Sequence, residues 1–169
     1  VQQVMGMTKV YAARVDLSAV TSTDDLESEP IPVTNVDPPE CVVIRDALDQ
    51  FVGSVPQRPP DHSAVHVGGQ RAYKLARRGQ RVDLKPRIVR IDAIDVLDYA
   101  WPLLDLRIRC GRGTYMRSLA RDLGNKLGTG GYLASLRRIA IGSYNVSMAI
   151  NPTRLEMIAQ ADLLDVPWD

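Results

Sequence analysis

The segment GRGTYMR, residues 111–117, is the densest concentration of potential chemistry in the chain. Gly111 and Gly113 permit a tight turn and a close backbone approach to another group. Thr114 is placed to cap a helix through its hydroxyl. Arg117 then falls in the first turn of that helix, where the macrodipole disfavours a cation. A guanidinium held there calls for an anion, and its planar fork of donors suits a carboxylate or a phosphate. The plain alternative is a solvated side chain. Arg121 stands one turn further on, on the same helix face. His62 and His66 lie close together but lack further ligands at metal-binding spacing. They read as loop and strand residues near a basic face. The chain contains no P-loop, no GxGxxG after a strand and no HExxH.

The elements that must position these residues are legible in outline. Lys9–Leu17 reads as a strand. Residues 21–29, TSTDDLESE, form an acidic loop, and the proline-rich stretch 30–39 is extended. Asp37 is expected to cap a helix with Pro38 at its first position. That helix spans Cys41–Phe51, with Val42, Leu48 and Phe51 on its buried face and Gly53 as a left-handed stop. Residues 57–60 lead into a short strand, Ser63–Val67, which turns at Gly68-Gly69. A short helix over Arg71–Arg78 is closed by Gly79. Ile88–Tyr99 reads as a strand, and Trp101-Pro102 makes a turn. Leu104, Leu106, Ile108 and Cys110 alternate with Asp105, Arg107 and Arg109, the mark of a half-buried strand. Thr114–Leu127 is a helix with Leu119, Leu123 and Leu127 in one stripe, stopped by Gly128. After Gly130-Gly131, YLASLRR is expected to form a short helical turn and IAIGSYNV a strand. Asn151-Pro152 should open a last helix. Tight turns between strands imply a mixed, largely antiparallel sheet with packed helices, an α+β domain.

The 169 residues suffice for one domain with a real core, and 45% of them are hydrophobic. No apolar run is long enough to span a bilayer. The start, VQQVMGMTKV, has neither a signal-peptide pattern nor an initiator methionine, so it reads as the interior of something longer. Cys41 and Cys110 lack metal-ligand spacing and do not make a disulfide framework. A reducing, cytoplasmic setting is expected. The net charge of +1 conceals an asymmetry. Residues 1–57 carry three basic and nine acidic side chains, residues 58–90 nine basic and two acidic, and residues 106–140 eight basic and one acidic. Two basic blocks in a nearly neutral protein suggest a polyanion-binding face. The plainer alternative is two solvated surfaces balanced by acidic partners elsewhere.

Four segments, in order, carry a resemblance: KVY at 9–11, PPDHSAVHVGGQRAYKLARRG at 59–79, RCGRGTYMRSLARDLGNKLGTGGYLASLRR at 109–138 and IGSYNV at 141–146. Together they resemble the TruB family of bacterial tRNA pseudouridine synthases. The third is specific, with a turn ending in GTYxR, a helix ending in LG, a GxG turn and then LRR. The second is similar to the family pattern PPxYSAxKxxGxxxYxxARxG. The resemblance implies a pseudouridine synthase catalytic-domain fold, truncated on its N-terminal side, over residues 1–169. Residues 59–85 would form a thumb-like insertion gripping the T-arm of tRNA. It also implies isomerisation of uridine 55 in the T-loop, which requires the base to leave its stack. No metal or organic cofactor is implied, no membrane partner, and a monomer is expected.

By the same resemblance, Tyr11 matches the base-stacking tyrosine, whose hydroxyl is also a candidate for proton removal. The alternative is a strand tyrosine with its ring in the core. Arg117 matches the arginine that pairs with the catalytic aspartate, and Leu136 the leucine packed against the base. For Leu136 the alternative is a simple core leucine. Asp25 matches the second acid of a TDTxD loop and could bridge Arg117 and Arg77, the alternative being a solvated loop acid. Arg58, His62, His66, Arg71, Lys74, Arg78, Arg81, Arg112, Arg121, Arg137 and Arg138 would contact RNA, giving affinity through phosphates rather than sequence reading. The family's catalytic aspartate belongs to a GxLDPxAxG motif that no aspartate of this chain matches, and a C-terminal PUA-like extension is likewise not seen. The 169 residues alone are therefore expected to be inactive. The rival reading is a non-catalytic tRNA-binding or tRNA-folding protein. His62 stands for a usual tyrosine, His66 for a lysine, Ser18 for a glycine and Ser22 for the first acid of TDTxD.

Overall fold

A computed structural model describes residues 2–67, 69–80 and 82–150. Its helices and strands run α1 (Gln2–Gly6), β1 (Lys9–Asp16), β2 (Ala19–Val20), β3 (Ile31–Pro32), α2 (Cys41–Asp49), β4 (Gly53–Gln57), β5 (His66–Val67), β6 (Gln70–Arg71), α3 (Ala72–Ala76), β7 (Arg87–Ala100), β8 (Leu103–Cys110), α4 (Met116–Leu127), β9 (Tyr132–Ile141) and β10 (Tyr144–Asn145). Six strands make one sheet in the order β10-β9-β1-β8-β7-β4, antiparallel at every pairing. This is the expected α+β architecture. Among the described residues no helix is long and apolar enough to cross a membrane. The proposed last helix at Asn151 lies outside them.

One face of the sheet is covered by α2 and α4. Ala13 and Val15 of β1, Leu104, Leu106 and Ile108 of β8, Ile44, Ala47 and Leu48 of α2, and Leu119 and Leu123 of α4 form one buried cluster. The alternation read in 104–110 is the burial pattern of β8, and the leucine stripe of α4 faces it. Gly128 closes α4 in the left-handed region, with φ 70°. Gly124 sits where α4 meets the chain entering β9. A Cβ there would overlap the Gly130 carbonyl and come within 2.8 Å of the Gly131 Cα. Helix and strand touch backbone to backbone, so no side chain fits between them.

Several local expectations differ from the structure. The YLASLRR stretch is not a helical turn but the first part of β9, because β1 pairs antiparallel with it from Tyr132 to Ile141, with irregularities at Ala134 and Ile139. Residues 53–57 form edge strand β4 against β7, a position that tolerates Pro56. Glu40, not Asp37, precedes α2, because Pro39 keeps Pro38 out of the helical region. The buried face of α2 is Ile44, Ala47 and Leu48, whereas Val42 is exposed. The helix ends at Gln50 in right-handed geometry, and Gly53, with φ 105°, instead opens β4. The hairpin expected at Gly68-Gly69 is bracketed by the pairs His66–Arg71 and Val67–Gln70.

Candidate active site

Helix α4 begins two residues later than expected. Tyr115 is its N-cap residue, and no side chain caps it. The Thr114 hydroxyl instead donates back to the Gly111 carbonyl at 3.2 Å. Gln57 at the end of β4 grips both backbone groups of Tyr115, accepting from its N–H at 2.8 Å and donating to its carbonyl at 3.1 Å. The helix start is thus positioned by a distant strand. Arg117 still falls in the first turn, and it is not solvated. Its guanidinium lies 3.0 Å (Nη1 to Oδ2) from the Asp25 carboxylate, and the two side chains are only 21% and 19% exposed. Nη1 donates to the Thr23 carbonyl at 3.1 Å and Nη2 to the His62 carbonyl at 2.8 Å. These acceptors offset the unfavourable end of the helix dipole.

One turn on, Arg121 repeats the pattern. Its Nη1 donates to Asp24 at 2.9 Å, Nε to Asp122 at 2.9 Å and Nη2 to the Arg58 carbonyl at 2.9 Å. Adjacent arginines on one helix face therefore clasp adjacent aspartates on one loop. The loop is held on its other side by β9, where Leu133 N–H donates to the Asp24 carbonyl at 3.0 Å and Asp25 bridges Leu133. Burial pushes the Asp24 carboxyl up from its usual value, with Arg121 and then Arg117 opposing the shift.

Asp25, Arg117 and Leu136 line a common open cleft of about 540 Å³, with Leu26, Glu27 and Leu133 among its walls. Leu136 is 46% exposed, so it is a cleft residue and not core. The β1–β9 register sets Tyr11 opposite Arg138 and Ala13 opposite Leu136. Tyr11 therefore lies on the same sheet face as Leu136, one pleat repeat away. Its ring is half-buried against the main core, and it is not a wall of this cleft.

Two expected placements need correction. Arg77 is exposed, its guanidinium 5.5 Å from the centre of the Tyr73 ring, and among the described residues it makes no ion pair with Asp25. The helix it follows, α3, ends at Ala76 on the insertion, so its side chain is directed by Tyr73 and not by the acidic loop. Arg121 is not a free phosphate contact, because all three of its nitrogens have internal partners. Arg58 is half-committed as well, paired with Asp61 at 2.6 Å and donating to the Val82 carbonyl at 3.1 Å. His62 acts through its carbonyl, and His66 is exposed in β5. Arg71, Lys74 and Arg78 are exposed on the insertion, and Arg112, Arg137 and Arg138 on the body. Among the described residues, none of these six has a carboxylate partner. That favours a polyanion face over two internally balanced surfaces. Arg81 lies outside the described residues.

Sequence reasoning passed over Asp24 and the Arg14–Asp105 pair. Asp24 is signalled by its adjacency to Asp25 together with the i, i+4 spacing of Arg117 and Arg121. Arg14 and Asp105 pair in fork geometry at 2.7 Å for both bonds, directly across β1 and β8, and Arg14 holds the Asp105 carboxyl below its usual range.

Residues 1–116 match the family model described as "TruB family pseudouridylate synthase (N terminal domain)". The chain belongs to the TruB family. Residues 117–165 match a second model, "tRNA pseudouridylate synthase B C-terminal domain". Relatives named tRNA pseudouridine synthase B include that of Anaplasma marginale (strain St. Maries), 45% identical over 93% of this chain and 52% of its own length. That of Xanthomonas oryzae pv. oryzae (strain MAFF 311018) is 40% identical over 96% of this chain and 54% of its own length. The chain thus spans about half the length of these TruB relatives. Among solved structures, a Cbf5-Nop10-Gar1 complex matches 91% of this chain and 36% of the matched chain, with TM-score 0.64 and 26% identity. An H/ACA RNP bound to a substrate RNA containing 2'-deoxyuridine shares the fold, with TM-score 0.58 at 22% identity over 88% of this chain and 33% of the matched one.

Proposed function

We propose that these residues form most of the catalytic domain of a tRNA pseudouridine synthase that isomerises uridine 55 of the T-loop. The observation that carries this reading is the largely buried Arg117–Asp25 pair opening on a cleft with the exposed Leu136, at the positions the TruB resemblance assigns to the catalytic aspartate's partner, the loop acid and the base-packing leucine. The reaction breaks a glycosidic bond, turns the base and forms a carbon–carbon bond. It needs a carboxylate kept ionised, and a guanidinium already fixed by two backbone carbonyls is pre-organised to do that. Leu136 in the Arg117 cleft, and Tyr11 on the same sheet face as Leu136, would contact the flipped base. The thumb-like insertion of 59–85 and the exposed arginines of β9 would hold the T-arm by its phosphates.

The 169 residues contain no GxLDPxAxG motif, so they are expected not to turn over by themselves. In the full-length protein carrying that aspartate, Arg117→Ala should lower turnover roughly 100-fold or more while leaving tRNA affinity within a few-fold. Steady-state pseudouridine formation and filter binding check both. Full turnover in that variant refutes the role given to Arg117. The rival reading, a tRNA-binding or tRNA-folding protein, draws on Arg117 already having Asp25 as its carboxylate. Salt-sensitive tRNA binding by a full-length protein that yields no pseudouridine would favour it.

A further inference from the structure

The second arginine of α4 has no role in the reading above, yet it is as fully engaged as the first. Its three nitrogens reach three separate segments: the acidic loop through Asp24, its own helix through Asp122 and the root of the insertion through the Arg58 carbonyl. The Arg58 carbonyl also accepts from the Ser118 hydroxyl at 2.8 Å. The Arg58 side chain in turn donates to the carbonyl of Val82, on the returning arm of the insertion. Val82 belongs to the small buried cluster with Ala72 and Leu84. A continuous physical path therefore runs from the exposed cations of the insertion, through Val82 and Arg58, to Arg121, Asp24 and the loop bearing Asp25.

Asp24 is shaped for this link. It adopts a left-handed backbone with φ 61°, uncommon for a residue with a side chain, so that successive carboxylates both face α4. Its side chain is 14% exposed. Burial raises its carboxyl despite two nearby guanidinium groups, so the pair is an expensive way to stabilise a fold. A charge pair kept at such cost, beside a second pair four residues along the same helix, fits a role in geometry.

We propose that Arg121 is a positioning residue for Arg117: by joining Asp24 to the Arg58 carbonyl, it transmits the seating of the insertion to the Arg117–Asp25 pair. This rests on the synthase reading of that pair. Phosphate contacts made by Arg71, Lys74 and Arg78 then bear on the site without touching it. Such a link affects the reacting complex more than the binding of RNA, whose phosphate contacts are left intact.

The test uses the full-length protein with a tRNA substrate, measuring kcat, KM, tRNA affinity and thermal midpoint together. Arg121→Gln is expected to lower kcat about 10-fold or more, with KM and tRNA affinity within about twofold. Asp24→Asn should lower kcat several-fold, and the double variant should be no worse than Arg121→Gln alone, because both substitutions cut one link. Arg121→Lys, which keeps a charge for Asp24 but lacks the planar fork, should recover part of the loss. Should Arg121→Gln fail to fold, Asp24→Asn and Arg121→Lys carry the same comparison. A KM rise at unchanged kcat, additive single effects, or a loss matching only the unfolded fraction would each overturn the proposal. Full kcat in Arg121→Gln beside an inactive Arg117→Ala defeats the linkage alone, whereas an active Arg117→Ala defeats the reading beneath it.

Discussion

The sheet body and the segment 59–85 differ sharply in how much apolar side chain each gathers into a core. Among the described residues, the sheet with α2 and α4 buries sixteen in one cluster. Among the described residues of 59–85, Ala72, Val82 and Leu84 form a small cluster with Val65, Leu75 and Ala76 packed around them, and Pro59 and Pro60 are buried at its root. So small a core cannot order a segment of this length alone. The segment is tied to the body by the buried Pro59 and Pro60 and by polar links to α4: the Arg58 carbonyl accepts from Ser118 and Arg121, and the His62 carbonyl from Arg117. The start of segment 59–85 is thus hydrogen-bonded to the same helix that carries Arg117. Local opening should reach the insertion well before the sheet.

The largest effect that separates the two regions is expected in their cores. Leu123→Ala should cost about 2–5 kcal/mol of global stability in denaturant titration. Leu84→Ala should leave the global midpoint nearly unchanged and speed amide exchange within 72–80. Equal global losses from both would show that insertion and body unfold as one unit. A smaller effect is expected at the surface. Arg78→Ala should reduce the slope of log affinity for tRNA against log salt by about one and weaken binding to different tRNAs alike. An unchanged slope would remove the insertion from the RNA face. The smallest is Ser63→Ala. The Ser63 hydroxyl is buried with no hydrogen-bond partner among the described residues. Its loss should move stability by less than about 0.5 kcal/mol, and a larger loss would mean that the hydroxyl has a partner.

The parts of the fold that could be read from the chain are those set by neighbours in sequence. The alternation of 104–110 specifies a strand with one buried face, and the stripe Leu119, Leu123, Leu127 specifies a helix, whatever surrounds them. The misread parts are those where local pattern is ambiguous. In YLASLRR, Leu133 and Leu136 are three apart, which suits a helix. The stretch is nonetheless a strand, because it pairs with β1 on both sides of a bulge at Ala134. The start of α4 shows the same limit in miniature. Thr114 has the right chemistry for a cap, but Gln57, 58 residues away, holds Tyr115.

The candidate site divides along the same line. Sequence alone placed a cation in the first turn of α4, because helix dipole and residue type are local facts, and left open whether an anion or solvent would meet it; the structure supplies Asp25 and two carbonyls. Sequence also singled out Asp25 and Leu136 by resemblance, and both share the cleft with Arg117. Only tertiary structure decided that Arg77 lies against Tyr73 and away from Asp25, that Arg121 faces inward to Asp24, and that Tyr11 packs against the main core on the sheet face it shares with Leu136. Those outcomes depend on which segments a side chain meets across the fold. A guanidinium binds whichever carboxylate and carbonyls the packed backbone brings within 3 Å, and spacing along one chain carries no record of that choice.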